Sequence, residues 1–192
     1  MKSFFAFAAS LAAFANAGAA DMPTIDVADF ELKTFDNMVD HFNFQDDRTY
    51  SQRYWVNDKY FTDPSGPNLI YLCGEYTCSI REDRLYPFMV GAAHGARLLV
   101  LEHRFYGDSQ PFDNWSLESL QFLSSEQAMA DIAFFLGSMN EDLEQRQTIV
   151  VGGSYPGALS AWFRAKYPHM AIASWASSAV VQPIVDFWQY DE

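Results

Sequence analysis

Apolar and polar positions fall into blocks that switch between strand and helix periods along the chain. Residues 50–61, YSQRYWVNDKYF, are aromatic and β-prone, and 68–73, NLIYLC, form a short apolar run that stops at Gly74. A helix is predicted around Leu85 to His94, closed by Gly95, and the strand RLLVLE follows over 97–102. Ser124, with Gln127 three residues on, caps a longer helix that runs to Met139. Ala128, Ile132, Phe135, Leu136 and Met139 recur on one face of that helix, so this stripe is assigned to the core. The strand QTIVV, a turn at Ser154, a helix from Pro156 to about Tyr167 and the strand MAIASWA complete three strand-helix-strand crossovers. Crossovers of this length predict an α/β fold, a mostly parallel sheet with helices on both faces and functional positions at the carboxyl ends of its strands.

Composition supports one packed unit, since 49% of the 192 residues are hydrophobic and no repeat or low-complexity tract interrupts them. The first twenty residues, MKSFFAFAASLAAFANAGAA, carry Lys2, an apolar run and then small residues around Ala15-Asn16-Ala17. That arrangement predicts a signal peptide over 1–20, too short and alanine-rich to read as a membrane span, with residues 21–192 as the mature part. Removing it takes away Lys2 alone, leaving 11 basic against 25 acidic residues and a formal charge of −14. Nucleic acid and anionic membranes are thereby excluded as favoured partners, and the acidity is compatible with an acidic lumen. Secretory-pathway localisation is expected, either extracellular or in a lysosome or vacuole.

Cys73 and Cys78, five apart in LCGEYTC, read as a disulfide rather than a zinc site in that compartment. Histidines 41, 94, 103 and 169 are scattered without metal-ligand spacing, so neither metal nor cofactor is expected. Asn114-Trp115-Ser116 is a glycosylation sequon.

The chemistry concentrates at IVVGGSYPGALSAW, residues 149–162. A strand ending at Val151 and a helix starting near Pro156 leave about four residues for a sharp reversal with Ser154 at its tip. Such a turn matches the nucleophile elbow of α/β-hydrolases, which holds the serine above the sheet and aims the next amide, here that of Tyr155, at a developing oxyanion. The pattern Gly-x-Ser-x-Gly is met at Gly152 and Ser154, but Pro156 occupies the last place and Gly157 comes one residue late. A glycine-rich strand-to-helix turn without catalytic duty is the alternative. The loop after 68–73 carries Gly74 and Glu75, where an α/β-hydrolase places its second oxyanion donor. Gly74 reads equally as a simple turn, and Glu75 as a solvated or salt-bridged carboxylate or a group that meets a charged peptide terminus.

A third segment, LEHRFYGDSQPF over 101–112, offers Arg104 for a buried ion pair and Gly107 for a tight turn. Glu102-His103-Arg104-Phe105-Tyr106-Gly107, Gly152-Gly153-Ser154-Tyr155 with the run Ala158 to Arg164, and Val39-Asp40-His41-Phe42-Asn43 are three separated motifs. Together they resemble the family of prolyl carboxypeptidase, dipeptidyl peptidase II and thymus-specific serine protease, from about residue 34 to the end. The resemblance implies a secreted or lysosomal serine exopeptidase on an α/β-hydrolase core, cleaving after proline to release either a carboxyl-terminal residue or an amino-terminal dipeptide, with a helical cap inserted after the strand that follows the nucleophile helix. Ser154 is then the nucleophile and Tyr155 the oxyanion donor, while His103 is a structural position. Pro156 stands where animal members have glycine.

The hydrolase order places Asp and His after the serine, and only 38 residues follow Ser154. His169 lies at the far end of the nucleophile helix, roughly 20 Å away, and Asp186 falls in the entry to the cap. The acid and base are therefore expected beyond Glu192, with this chain inactive alone and Trp162, Phe163, Trp175 and Trp188 left exposed where the remaining carboxyl-terminal half would cover them. Expected partners are a peptide substrate, that missing half and, as an open alternative, a second copy in a homodimer. A lipase or carboxylesterase using the same elbow, and a non-catalytic secreted protein of the same fold, stay as alternatives.

Overall fold

The computed structural model describes residues 22–139 and 147–188; the signal segment expected over 1–20 lies outside them. Six strands form one sheet: β1 (Glu31–Met38), β2 (Thr49–Asn57), β3 (Asn68–Leu72), β4 (Arg97–Leu101), β5 (Thr148–Gly153) and β6 (Ala173–Ser177). Their spatial order is β1-β2-β4-β3-β5-β6, antiparallel at β1–β2 and β2–β4 and parallel from β4 through β6. Helix α1 (Tyr86–Ala93) connects β3 to β4, α2 (Leu117–Leu120) and α3 (Ser125–Met139) lie between β4 and β5, and α4 (Tyr155–Lys166) connects β5 to β6. This is the mostly parallel α/β-hydrolase sheet expected from the crossovers.

Alternation along the strands splits the core in two, because successive side chains point to opposite faces. Ile70, Leu72, Leu99, Leu101 and Val150 face α3 and α4, where they meet Ile132, Phe135, Leu136, Leu159 and Phe163. Leu69, Leu98, Val100 and Val151 point the other way, toward Phe88 and Ala92 of α1 and toward Ile25 and Phe30 of the amino-terminal segment. Gln127 N–H donates to Ser124 Oγ at 3.2 Å, so the cap read from the sequence is formed, and the α3 stripe is buried except for a partly covered Met139.

Three outcomes differ from the sequence reading. Strand β5 continues to Gly153 because Gly152 and Gly153 still pair with Ala176 and Ser177 of β6, which shortens the turn to Ser154 itself. Strand β1 was not anticipated; its Glu31, Lys33 and Asp36 give an edge strand that is mostly solvent-facing and apolar at few positions. Phe163, expected to be exposed, is fully buried between α4 and the sheet, and Trp162 is half-covered, its Nε1–H donating to the Val181 carbonyl at 3.0 Å. Trp175 and Trp188 do remain exposed, at 36% and 54%.

Under α3 lies a polar knot. Arg104, fully buried, donates from Nε and Nη2 to the two oxygens of Asp131, each at 2.6 Å. Its fork also reaches the carbonyls of Met38, Val39 and Phe122. Asp131 in turn meets His41 Nε2 at 2.8 Å and accepts from Tyr50 Oη at 2.9 Å. Burial alone would push the Asp131 carboxyl up, but the Arg104 charge and hydrogen bonds outweigh it and hold the group below the ordinary aspartate value. Removing one partner strands the other's charge in the core, so Asp131→Ala is expected to cost about 3–5 kcal/mol, read as a lowered denaturant midpoint at unchanged m-value.

Candidate active site

Ser154 is the single residue between β5 and α4. Its backbone sits at φ 63°, ψ −128°, a conformation that costs a non-glycine residue about 1–3 kcal/mol and persists only where its surroundings enforce it. The enforcement is visible: Ser154 N–H donates to the Ser177 carbonyl at 2.9 Å, and its carbonyl accepts from Ala158 N–H at 3.1 Å as α4 begins. The side chain is exposed and makes no capping bond, so the hydroxyl stands clear at the carboxyl end of β5. It opens onto a cleft of about 500 Å³ whose wall includes Tyr71, Glu75, Tyr76, Arg84, Tyr86 and Trp175.

The late glycine now has a physical reason. A Cβ at Gly157 would lie 2.7 Å from the Ser177 carbonyl oxygen, so Gly157 lets the first turn of α4 press against the end of β6. Pro156 is accommodated in the first turn, where its missing N–H costs nothing. Its ring fills the space over Gly74, where a Cβ would sit 2.8 Å from Pro156 Cγ. Gly74 is thus buried beneath the elbow, and Glu75, next in the chain, is exposed. The amides of Glu75 and Tyr155 take no protein acceptor among the described residues.

Cys73 and Cys78 are joined, closing the loop that carries Gly74, Glu75 and Tyr76. The loop is anchored a second time by Cys78 N–H, which donates to Glu102 Oε1 at 2.9 Å. Glu102 is fully buried and paired with Arg53 through two bonds of 2.8 and 2.6 Å, and Ser109 Oγ–H donates to it at 2.7 Å. The next residue, His103, holds the other half of the site. Its Nδ1–H donates to the Arg104 carbonyl at 2.7 Å, which leaves Nε2 to accept from Tyr155 Oη at 2.9 Å. Burial pushes the His103 ring below its ordinary value, and burial with the Glu75 carboxylate pushes the Tyr155 phenol far above its own.

The motif over 102–107 therefore fixes three things in succession: Glu102 the disulfide loop, His103 the residue after Ser154, and Arg104 the amino-terminal segment and α3. Gly107 takes the left-handed turn foreseen for it, at φ 56°. Asn114 is exposed, its Oδ1 accepting from Ser116 N–H at 3.1 Å and from Ser119 Oγ–H at 2.7 Å. His41 is spent on Asp131, and no histidine bonds to Ser154 among the described residues. Asp186 is exposed in the irregular segment after β6. Sequence reasoning missed Arg84 and Tyr76, both in the cleft wall; a guanidinium just before a helix carries no motif.

The family model for serine carboxypeptidase S28 matches residues 37–192. The chain belongs to the serine carboxypeptidase S28 family. Among curated S28 relatives, the "Probable serine protease EDA2" of Arabidopsis thaliana is 41% identical over 169 residues, which is 82% of this chain and 34% of that protein. Human thymus-specific serine protease is 39% identical over 161 residues, covering 82% of this chain and 31% of the relative. Human lysosomal Pro-X carboxypeptidase is 36% identical over 173 residues, covering 85% and 33%. This S28 chain thus spans about a third of the length of the curated relatives it matches. Among solved structures, a hydrolytic enzyme from Pseudomonas aeruginosa PAO1 superposes with a TM-score of 0.51 at 15% identity, over 75% of this chain and 40% of that one, a likeness of fold.

Two outcomes follow from this packing. Gly74→Ala is expected to destabilise by about 1–3 kcal/mol through overpacking, and Pro156→Gly in the same chain should recover most of that loss, giving a double-mutant cycle with a clear coupling energy. The depressed His103 value makes the neutral ring the folded form, while an unfolded histidine takes up its proton near pH 6.5. The unfolded chain then binds the proton more readily, so this contribution is complete above about pH 6.5 and is lost as the pH falls below it. His103→Gln should flatten the acid-side decline of the unfolding midpoint between about pH 7 and pH 5.

Proposed function

We propose that this S28 chain carries the nucleophile and oxyanion half of a serine-type exopeptidase that cleaves peptide bonds after proline. The reading is carried by one observation: an exposed serine hydroxyl at positive φ, between β5 and α4, at the mouth of a large cleft. Ser154 attacks the carbonyl carbon and holds the acyl group as an ester, while the amides of Tyr155 and of the Gly74-Glu75 loop receive the negative oxygen. The base that takes the serine proton and the acid that orients it belong outside residues 1–192, so the chain by itself is proposed to be inactive. The relatives named a serine protease and a Pro-X carboxypeptidase support the class and the proline preference. The route is secretory, with a lysosome or vacuole as destination, and Asn114 as the glycan acceptor.

Esterases share the elbow, and the substrate decides between the two. In a protein that contains the complete catalytic domain, kcat/KM for a proline-containing peptide is expected to exceed that for a short acyl ester. Ser154→Ala should lower kcat by at least about a thousandfold for both substrates. Ester hydrolysis without peptide hydrolysis would replace the peptidase reading, and full activity in the Ser154→Ala protein would remove the nucleophile assignment.

A further inference from the structure

Four arginines of this acidic chain close on carboxylates, while Arg164 donates from Nε to the Ile172 carbonyl at 3.1 Å. Arg48 pairs with Asp46, Arg53 with Glu102 and Asp108, Arg97 with Asp58, and Arg104 with Asp131. Arg84 does otherwise, although the sequence holds 25 acidic residues to choose from. Its Nη1 donates to Tyr76 Oη at 2.9 Å, and its guanidinium carbon stands 5.5 Å from the centre of the Tyr76 ring. The groups that act on its charge are the phenols of Tyr76 and Tyr71 and the like charge of Arg81. No ion pair to Arg84 forms among the described residues.

Its place in the cleft gives that arrangement a use. Arg84 ends the short 3-10 turn Glu82–Arg84 that leads into α1, and it lines the same cleft as Ser154. Tyr76, which steadies it, sits inside the loop closed by Cys73 and Cys78, so the guanidinium leans on a covalently held support. A planar fork fixed at one corner and lacking a carboxylate partner is matched to a carboxylate brought by a ligand, which it can grip through two parallel N–H bonds.

We infer that Arg84 reads a carboxylate on the substrate, and that this carboxylate is the free carboxyl terminus of the peptide whose acyl carbon Ser154 attacks. The inference rests on the proposed peptidase reading, takes the carboxyl-terminal direction from the name of the matching family, and adds the residue that would read the terminus. Arg84 holds the departing residue by its terminal carboxylate. Glu75, on the same wall, repels a carboxylate placed near it and so favours the Arg84 side.

The test is binding, which needs no base or acid from elsewhere. Acetyl-Ala-Pro-Phe with a free terminus, the same peptide amidated, and acetyl-Ala-Pro-Asp-amide are titrated into the chain by calorimetry. The free acid is expected to bind on the order of tenfold more tightly than the amide, the scale of one charge-assisted contact. Arg84→Gln should erase that ratio and Arg84→Lys should restore part of it. Equal binding of acid and amide, or a ratio that survives Arg84→Gln, overturns the inference. Tight binding of the aspartyl amide assigns Arg84 to an acidic side chain and likewise overturns the terminal-carboxylate claim. Tighter binding of Ala-Pro-Phe-amide with a free amino terminus than of its acetylated form, lost on Glu75→Gln, would reverse the direction of the exopeptidase. In a protein that contains the complete catalytic domain, fluorophosphonate labelling of the wild type against Ser154→Ala reports separately on the nucleophile, so a failure there leaves the acid-to-amide ratio still interpretable.

Discussion

The buried pairing of Arg104 with Asp131 is the constraint on which the site depends. Three stretches remote in sequence converge on it: the end of β1 with the following His41, the loop after β4, and the first turns of α3. Neither charge can tolerate the interior alone, so each element is tied to the others by the cost of separating them. Arg104 is also chain-adjacent to His103, which grips Tyr155, and one further residue from Glu102, which grips the disulfide loop. Register at the ion pair is therefore transmitted through three consecutive residues to both walls beside Ser154.

Energy stored at the elbow has the same source. The unfavourable backbone of Ser154 is balanced by the β5–β6 pairing that runs to the last strand residue, by the bond from its amide to Ser177, and by the helix that starts at once behind it. Apolar contacts on the α3–α4 face are dense around Phe135, Leu159 and Phe163, while the opposite face is covered by α1 mainly over β3 and β4. Toward β6 that second face thins out, and Trp175 meets Tyr86 edge-on at 5.9 Å while still partly open to solvent. Strength is thus concentrated beneath the nucleophile helix and relaxed where the cleft opens.

Periodicity made the parallel half of this fold readable. The α3 stripe, its Ser124 cap and the three crossovers come from apolar spacing that only one architecture can bury. The antiparallel edge was not readable, because β1 is half solvent-facing and stabilised through Asn37 and Gln52, whose side chains bond to each other at 2.6 Å. At the site, Ser154 was legible from its glycines and Arg104 from its setting among aromatics. Asp131 was hidden inside a helical stripe taken as purely apolar, and Arg84 inside a loop. Phe163 was misjudged for a similar reason: its burial depends on which way α4 faces, and that is set by Gly157 and by contacts with α3 rather than by local composition.

The contact between Pro156 and position 74 has a consequence for descent. A chain that carries the ring meets an overpacking cost of about 1–3 kcal/mol for alanine at 74, most of which a chain without the ring is spared. The two sites, 82 positions apart, are consequently coupled: proline is easier to acquire while residue 74 lacks a Cβ, and once present it weighs against any larger residue in the floor of the elbow.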